Sequence, residues 1–140
     1  MTKILLVEDS KFLRLGTERA LARAGYEVAS TEDGESALEL AKRSHPDVIL
    51  LDMLLPKITG LDVLKALKQD PMTAGIAVVA FTGLSQKNTA RLKQDGAYAF
   101  LDKTELALDK GSDTFLEAIA RIVRELHLEV PSAAAAHASS

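Results

Sequence analysis

The chain has 140 residues, room for one domain of ordinary size, and 47% of them are hydrophobic, enough to bury a core built from Leu, Ile, Val and Ala. It has no Cys, so disulfides and thiolate metal sites are excluded, and its formal net charge of −3 with no basic run gives no electrostatic footprint for nucleic acid. No apolar run reaches the ~20 residues of a membrane span, and MTKILLVEDS runs at once into acids, unlike a secretory leader, so a soluble cytoplasmic domain is expected.

Along the chain, short aliphatic runs alternate with segments of helical period. A first strand is expected at Ile4–Val7. The helix after it should turn Leu13, Gly16, Ala20, Leu21 and Ala24 inward and stop at Gly25, a natural C-terminal cap. Tyr26–Ala29 is the least distinct strand. Asp33 and Gly34 open a second helix, with Ala37, Leu38 and Ala41 inward, which ends before His45-Pro46. Val48–Leu51 is the third strand. Leu61, Leu64 and Leu67 mark a third helix, stopped before Pro71, and Ile76–Phe81 is the fourth strand. Ser85 to Gln94 offers only a thin apolar face for a fourth helix, namely Leu84, Ala90 and Leu92. Ala97–Leu101, after Gly96, is the fifth strand. The last helix is the clearest, with Phe115, Leu116, Ile119, Ile122, Val123 and Leu126 behind Ser112 or Asp113 as cap. Residues 1–130 are therefore expected to form one domain. Residues 131–140, PSAAAAHASS, have nothing to bury and are expected to be a disordered tail.

Runs that are apolar throughout, rather than alternating, suit strands buried on both faces of a parallel sheet. Strict alternation with helices implies right-handed crossovers. The expected fold is α/β: a doubly wound, five-stranded parallel sheet, flavodoxin-like, with strand order 2-1-3-4-5 and helices on both faces. Ligand sites in such sheets lie beyond the carboxyl ends of the strands, at the switch point between strands one and three. Strand one is expected to end in Glu8-Asp9, and strand three in Asp52. Two unit charges ~6 Å apart repel by ~3 kcal/mol at an effective dielectric of ~20, so three carboxylates together require a cation or must give up ionisation. All-oxygen donors on a rigid scaffold suit Mg²⁺. Lys103 at the end of strand five and Thr82, beside Gly83 at the end of strand four, add a cation and a hydroxyl to the same rim. This set fits phosphoryl transfer onto Asp52 as nucleophile, chemistry in which positioning and charge neutralisation do most of the catalysis. Taken singly, each residue has a plainer role. Asp9 or Ser10 caps the first helix, Asp52 caps a turn, Lys103 is a solvated lysine and Thr82 an ordinary strand-end residue. Five of them on one edge is the point, because chance scatters them over both edges.

The pieces ILLVEDS, VILLDMLLPKITGLDVL, AVVAFTG and GAYAFLDK, in this order over residues 3 to 127, resemble the receiver domain of two-component response regulators, of the stand-alone single-domain type. Pro56 and Gly60 follow Asp52, and Thr82 lies thirty residues after it, at the spacings of that family. The resemblance implies that Asp52 is the phosphoacceptor and that Asp9 ligates Mg²⁺ directly. Glu8 would act on the metal through water, and the backbone carbonyl of Leu54 would be a further ligand. Lys103 would pair with the phosphoryl or acceptor oxygen. Thr82 would hydrogen-bond the arriving phosphoryl group, and Phe100 would be the switch aromatic coupled to it. The implied partners are a sensor histidine kinase or phosphotransfer protein, and a downstream protein acting in trans. The fourth helix, fifth strand and last helix would form the output surface, with a homodimer through that surface a further option; no nucleic acid or membrane is involved. On this reading the chain is not an enzyme beyond catalysing its own phosphorylation and dephosphorylation.

Three departures from the family fall on that output surface. Thr104 stands where Pro usually follows the strand-five lysine, so a trans Lys103–Thr104 peptide is expected. The stretch from Thr82 to Lys103 is one residue short of the usual length, and TELALDKGSD is a longer link into the last helix. In the family, the side chains two positions after the acceptor and two after the strand-four threonine flank the approach of the hydrolytic water. Here these are Leu54 and Leu84, both apolar, so the resemblance predicts slow hydrolysis of the phosphorylated form. Alternative readings remain open at this point. A flavin or nucleotide binder of the same fold holds phosphate on a Gly-, Ser- or Thr-rich loop after strand one, where this chain has the acids of Glu8-Asp9-Ser10-Lys11. A Mg²⁺-dependent phosphomonoesterase needs a general acid and a cap. A pseudo-receiver, a phosphorylation-independent interaction module, would have lost Asp52, Asp9 or Lys103, and all three are present.

Overall fold

Five aliphatic runs build the sheet, and the burial of the central one explains why it shows no alternation. In the computed structural model, β1 (Lys3–Val7), β2 (Glu27–Thr31), β3 (Val48–Asp52), β4 (Ala77–Thr82) and β5 (Ala99–Asp102) pair in parallel in the order β2-β1-β3-β4-β5. All five residues of β3 are buried, as expected of a strand with neighbours on each side and helices above and below. The structure describes residues 1–55, 57–82, 93–102 and 111–131, with Thr82, Asp102 and residues 111–113 described by their backbone only. Four helices lie among the described residues: α1 (Lys11–Arg23), α2 (Gly34–Ser44), α3 (Gly60–Gln69) and α4 (Gly111–Glu125). None of them is long and apolar enough to cross a membrane.

The sheet separates two apolar clusters. On one face Ile4, Leu6, Val48, Leu50, Val79 and Phe81 pack against Leu21 of α1 and Phe115, Ile119, Ile122 and Val123 of α4. On the other face Leu5, Val7, Ile49, Leu51, Val78 and Ala80 pack against Ala37 and Ala41 of α2 and Val63, Leu64 and Leu67 of α3. The expected doubly wound flavodoxin-like arrangement, with helices on both faces, is therefore the one observed.

Local chemistry sets the boundaries and corrects several expectations. Gly25 (φ 101°) ends α1 in the left-handed region, as expected, and His45 (φ 47°) ends α2 the same way. The second strand starts at Glu27 rather than Tyr26, because the Tyr26 N–H is used on the Leu21 carbonyl at 3.2 Å to close the helix end. Gly16 does not face inward. It is exposed, with nothing within 4 Å of where a Cβ would sit, and Thr17 takes the buried place beside Leu21. Ser112 and Asp113 lie within the first turn of α4 rather than ahead of it. Of the fourth helical segment expected at 85–94, only Lys93 and Gln94 are described, and both are helical. The chain is described as far as Pro131, which packs on Gly25; residues 132–140 lie outside the described residues.

Candidate functional site

The carboxyl ends of β1 and β3 carry the acids. Past Val7, the Glu8 N–H continues the ladder to the Thr31 carbonyl at 3.0 Å, which fixes the direction of the chain as it leaves the sheet. The Glu8 side chain is buried, and its Oε2 accepts the Ser10 N–H at 3.1 Å. Ser10 is the cap of α1, so the plainer role weighed for Asp9 or Ser10 falls to Ser10, and Asp9 is left exposed. Asp52 ends β3 with 1% of its surface exposed, and its Oδ1 accepts the Leu54 N–H at 3.0 Å. One carboxylate oxygen from each of Glu8, Asp9 and Asp52 lies within 4.8 Å of the others. Three hard oxygen donors on two fixed strand ends match the preference of Mg²⁺, so the residues fit the metal that the resemblance implies.

The loop after Asp52 is held by packing as well as by hydrogen bonds. The Met53 N–H reaches the Phe81 carbonyl at 3.0 Å, and the Gly60 N–H reaches the Met53 carbonyl at 3.3 Å. A Cβ on Gly60 would lie 2.5 Å from both the Asp52 carbonyl oxygen and the Met53 Cα. Only glycine lets α3 begin so close to Asp52. Thr59 caps that helix in a capping box with Asp62. Leu54 stands two residues past Asp52 with its side chain 55% exposed.

The remaining expected residues divide into two groups. The backbone of Thr82 ends β4 opposite Asp102, one step beyond the Asp52–Phe81 pair, so the structure brings its main chain to the same rim as Asp52. Phe100 pairs with Ala80 in β5 and is partly buried against the α2–α3 cluster, with the Lys93 ammonium 5.6 Å from its ring centroid. The Thr82 side chain, Lys103, Leu84, Pro56 and the Lys103–Thr104 peptide lie outside the described residues. Arg14 is a residue that sequence reasoning missed. Its guanidinium donates to the Glu8 carbonyl at 3.0 Å and stands 3.9 Å from Glu32. The available sequence signal was only a basic residue one turn into the first helix.

Comparison with known proteins agrees with this geometry. Residues 4–110 match the family profile described as response regulator receiver domain. The chain is similar to the polar-differentiation response regulator DivK of Brucella ovis, 39% identical over 105 residues that cover 74% of this chain and 85% of that protein. DivK of Brucella anthropi is 39% identical over 102 residues, covering 71% of this chain and 82% of that one. Among solved structures, the chemotaxis response regulator CheY4 of Vibrio cholerae superposes with a TM-score of 0.77 at 29% identity, covering 87% of this chain and 98% of that chain. The receiver domain of a LuxO repressor from Vibrio parahaemolyticus gives 0.77 at 28% identity, covering 90% and 92%. With the sheet order, the acidic strand ends and the matched span in agreement, the chain belongs to the response regulator receiver domain family of two-component signalling.

Proposed function

We propose that this chain is the phosphoacceptor of a His-Asp phosphorelay, taking a phosphoryl group from a sensor histidine kinase or phosphotransfer protein onto Asp52. The observation that carries the proposal is the convergence of Glu8, Asp9 and Asp52 within 4.8 Å at the switch point of the sheet. In the transfer, an Asp52 carboxylate oxygen forms a bond to phosphorus as the bond from phosphorus to the donor nitrogen breaks, and the nitrogen keeps that electron pair. The Leu54 N–H orients the acceptor by holding Oδ1, so the carboxylate meets the incoming group in one rotamer. Asp9, Asp52 and the Leu54 carbonyl are the residues that would hold Mg²⁺, with Glu8 acting through water. When bound, the metal neutralises charge on the transferring phosphoryl oxygens. Thr82 hydrogen-bonds the phosphoryl group once it is on Asp52, Lys103 pairs with the phosphoryl or acceptor oxygen, and Phe100 responds to Thr82. This alters the surface formed by the segment before β5, β5 itself and α4, for a partner in trans or a second copy of the chain. No external substrate is turned over.

Intact-mass analysis after treatment with acetyl phosphate and Mg²⁺ tests this. The wild type is expected to gain one phosphoryl group, and Asp52→Asn and Asp9→Ala none. A wild type that gains nothing identifies a phosphorylation-independent interaction module instead. Equal labelling of Asp52→Asn moves the acceptor elsewhere.

A further inference from the structure

Glu8 and Asp9 sit between the last residue of β1 and the cap of α1, on two residues of connection. Metal ligands must nevertheless be held to within a fraction of an ångström by the groups around them. Two polar groups of Glu8 are held by the main chain. Its N–H goes to Thr31 at 3.0 Å, and its Oε2 receives the Ser10 N–H at 3.1 Å. Its carbonyl accepts Arg14 Nη1 at 3.0 Å just where the β1–β2 ladder stops. The Arg14 side chain is only 15% exposed, so packing limits its rotamers, and the same nitrogen stands 3.9 Å from Oε2 of Glu32 on the connection after β2. Nothing in the phosphoryl chemistry above uses Arg14.

We propose that Arg14 is a positioning residue, clamping the Glu8 carbonyl and thereby setting the affinity of the Glu8–Asp9–Asp52 cluster for a divalent cation. The proposal rests on reading that cluster as a metal site. An arginine suits the task because its guanidinium stays charged and its planar geometry is pre-organised, so Nη1 holds the carbonyl at 3.0 Å with Glu32 3.9 Å away. A guanidinium near the acids also opposes a cation. That repulsion acts against the clamp, and the direction of the affinity change in Arg14→Gln separates the two. Glu32 itself is exposed, and its own contribution is small.

The test is a Mg²⁺ titration of wild type, Arg14→Gln, Arg14→Lys and Glu32→Gln. It is followed by the amide shifts of Glu8, Asp9, Ser10 and Leu54 in proton–nitrogen correlation spectra, with thermal midpoints taken without metal. Arg14→Gln is expected to weaken Mg²⁺ binding about tenfold, the lower end for removing a group that orients a ligand. Arg14→Lys recovers part of the loss, and Glu32→Gln changes affinity by less than about threefold. With acetyl phosphate as donor, the Mg²⁺ concentration for half-maximal phosphorylation rises by the same factor in Arg14→Gln, while the rate at saturating Mg²⁺ stays within about twofold. Should Arg14→Gln fail to fold, Arg14→Lys carries the test through a smaller shift in the same direction. Lower stability with unchanged Mg²⁺ affinity overturns the proposal. Tighter binding overturns it too, since Arg14 would then be a repelling charge and not a clamp. If the wild type itself shows no Mg²⁺-dependent shift, the metal reading of the cluster falls, and this proposal with it.

Discussion

Leu54 gives its N–H to Asp52 Oδ1 while it stays 55% exposed, so one residue both holds the proposed acceptor and presents its side chain to solvent. Water that attacks a phosphorylated Asp52 must be positioned in line, and positioning is among the few contributions a protein makes to that step. A branched apolar side chain offers that water no hydrogen bond. Leu54→Asn is therefore expected to shorten the lifetime of the phosphorylated form several-fold. Because the side chain is more than half exposed, the same change should alter stability by no more than about 0.5 kcal/mol. Leu84→Glu is the parallel variant from the sequence reasoning. Decay of the phosphorylated protein, measured for all three forms, decides the matter, and equal rates sink the idea. At this scale Glu8, Asp9 and Asp52 were legible because each follows an aliphatic run whose end fixes its place in space. Arg14 was not, since a long side chain bonded to a main-chain carbonyl leaves no pattern of residue types.

Two glycines in helices show why identity alone does not reveal a role. Gly16 in α1 was expected inward on periodicity, yet it has open space where a Cβ would sit. Gly60 at the start of α3 would place a Cβ 2.5 Å from the Asp52 carbonyl oxygen and the Met53 Cα, main-chain atoms that cannot swing aside. The two Ala variants should thus differ in sign. Gly60→Ala is expected to cost about 2 kcal/mol through overpacking and to slow phosphorylation by shifting the loop that carries Asp52. Gly16→Ala is expected to gain up to about 1 kcal/mol from helix propensity. Urea unfolding with acetyl phosphate labelling checks both, and a neutral Gly60→Ala would falsify the close-packing argument. Strands in the centre of the sheet were legible from their unbroken aliphatic runs, and the third was expected to end in Asp52, where β3 ends. The edge strand β2 was less so, because its residues are half-buried or exposed and its first expected residue, Tyr26, is taken by the end of α1. Ser112 and Asp113 suit a cap and a first turn almost equally, so composition alone does not fix where α4 begins.

Across the whole molecule, the α1–α4 face of the sheet contains a polar group that its neighbours do not satisfy. Tyr26 is 3% exposed within that cluster, and among the described residues its hydroxyl has no hydrogen-bond partner. Burial pushes the Tyr26 phenol up to about 12 from 10.0, with the Arg124 charge pulling weakly the other way. A folded-state value above the unfolded one means that the folded chain keeps its proton where the unfolded chain releases it. The associated stability is fully present below pH 10 and is lost as the pH rises towards 12. For a shift of that size, about 1.4 kcal/mol is gone by pH 11. Lys68 titrates with the opposite sense. Burial lowers its value from 10.5, so its contribution rises with pH, but it is common to wild type and variant. Comparing wild type with Tyr26→Phe therefore isolates the tyrosine. At pH 8 the variant should be about 1 kcal/mol more stable, because an unpaired buried hydroxyl has been removed. Between pH 9 and 11 the gap should widen by about 1.4 kcal/mol as only the wild type loses stability. Denaturant unfolding of both proteins at several pH values across that range measures the difference, and curves that stay parallel would show that the Tyr26 hydroxyl is solvated in the folded chain after all.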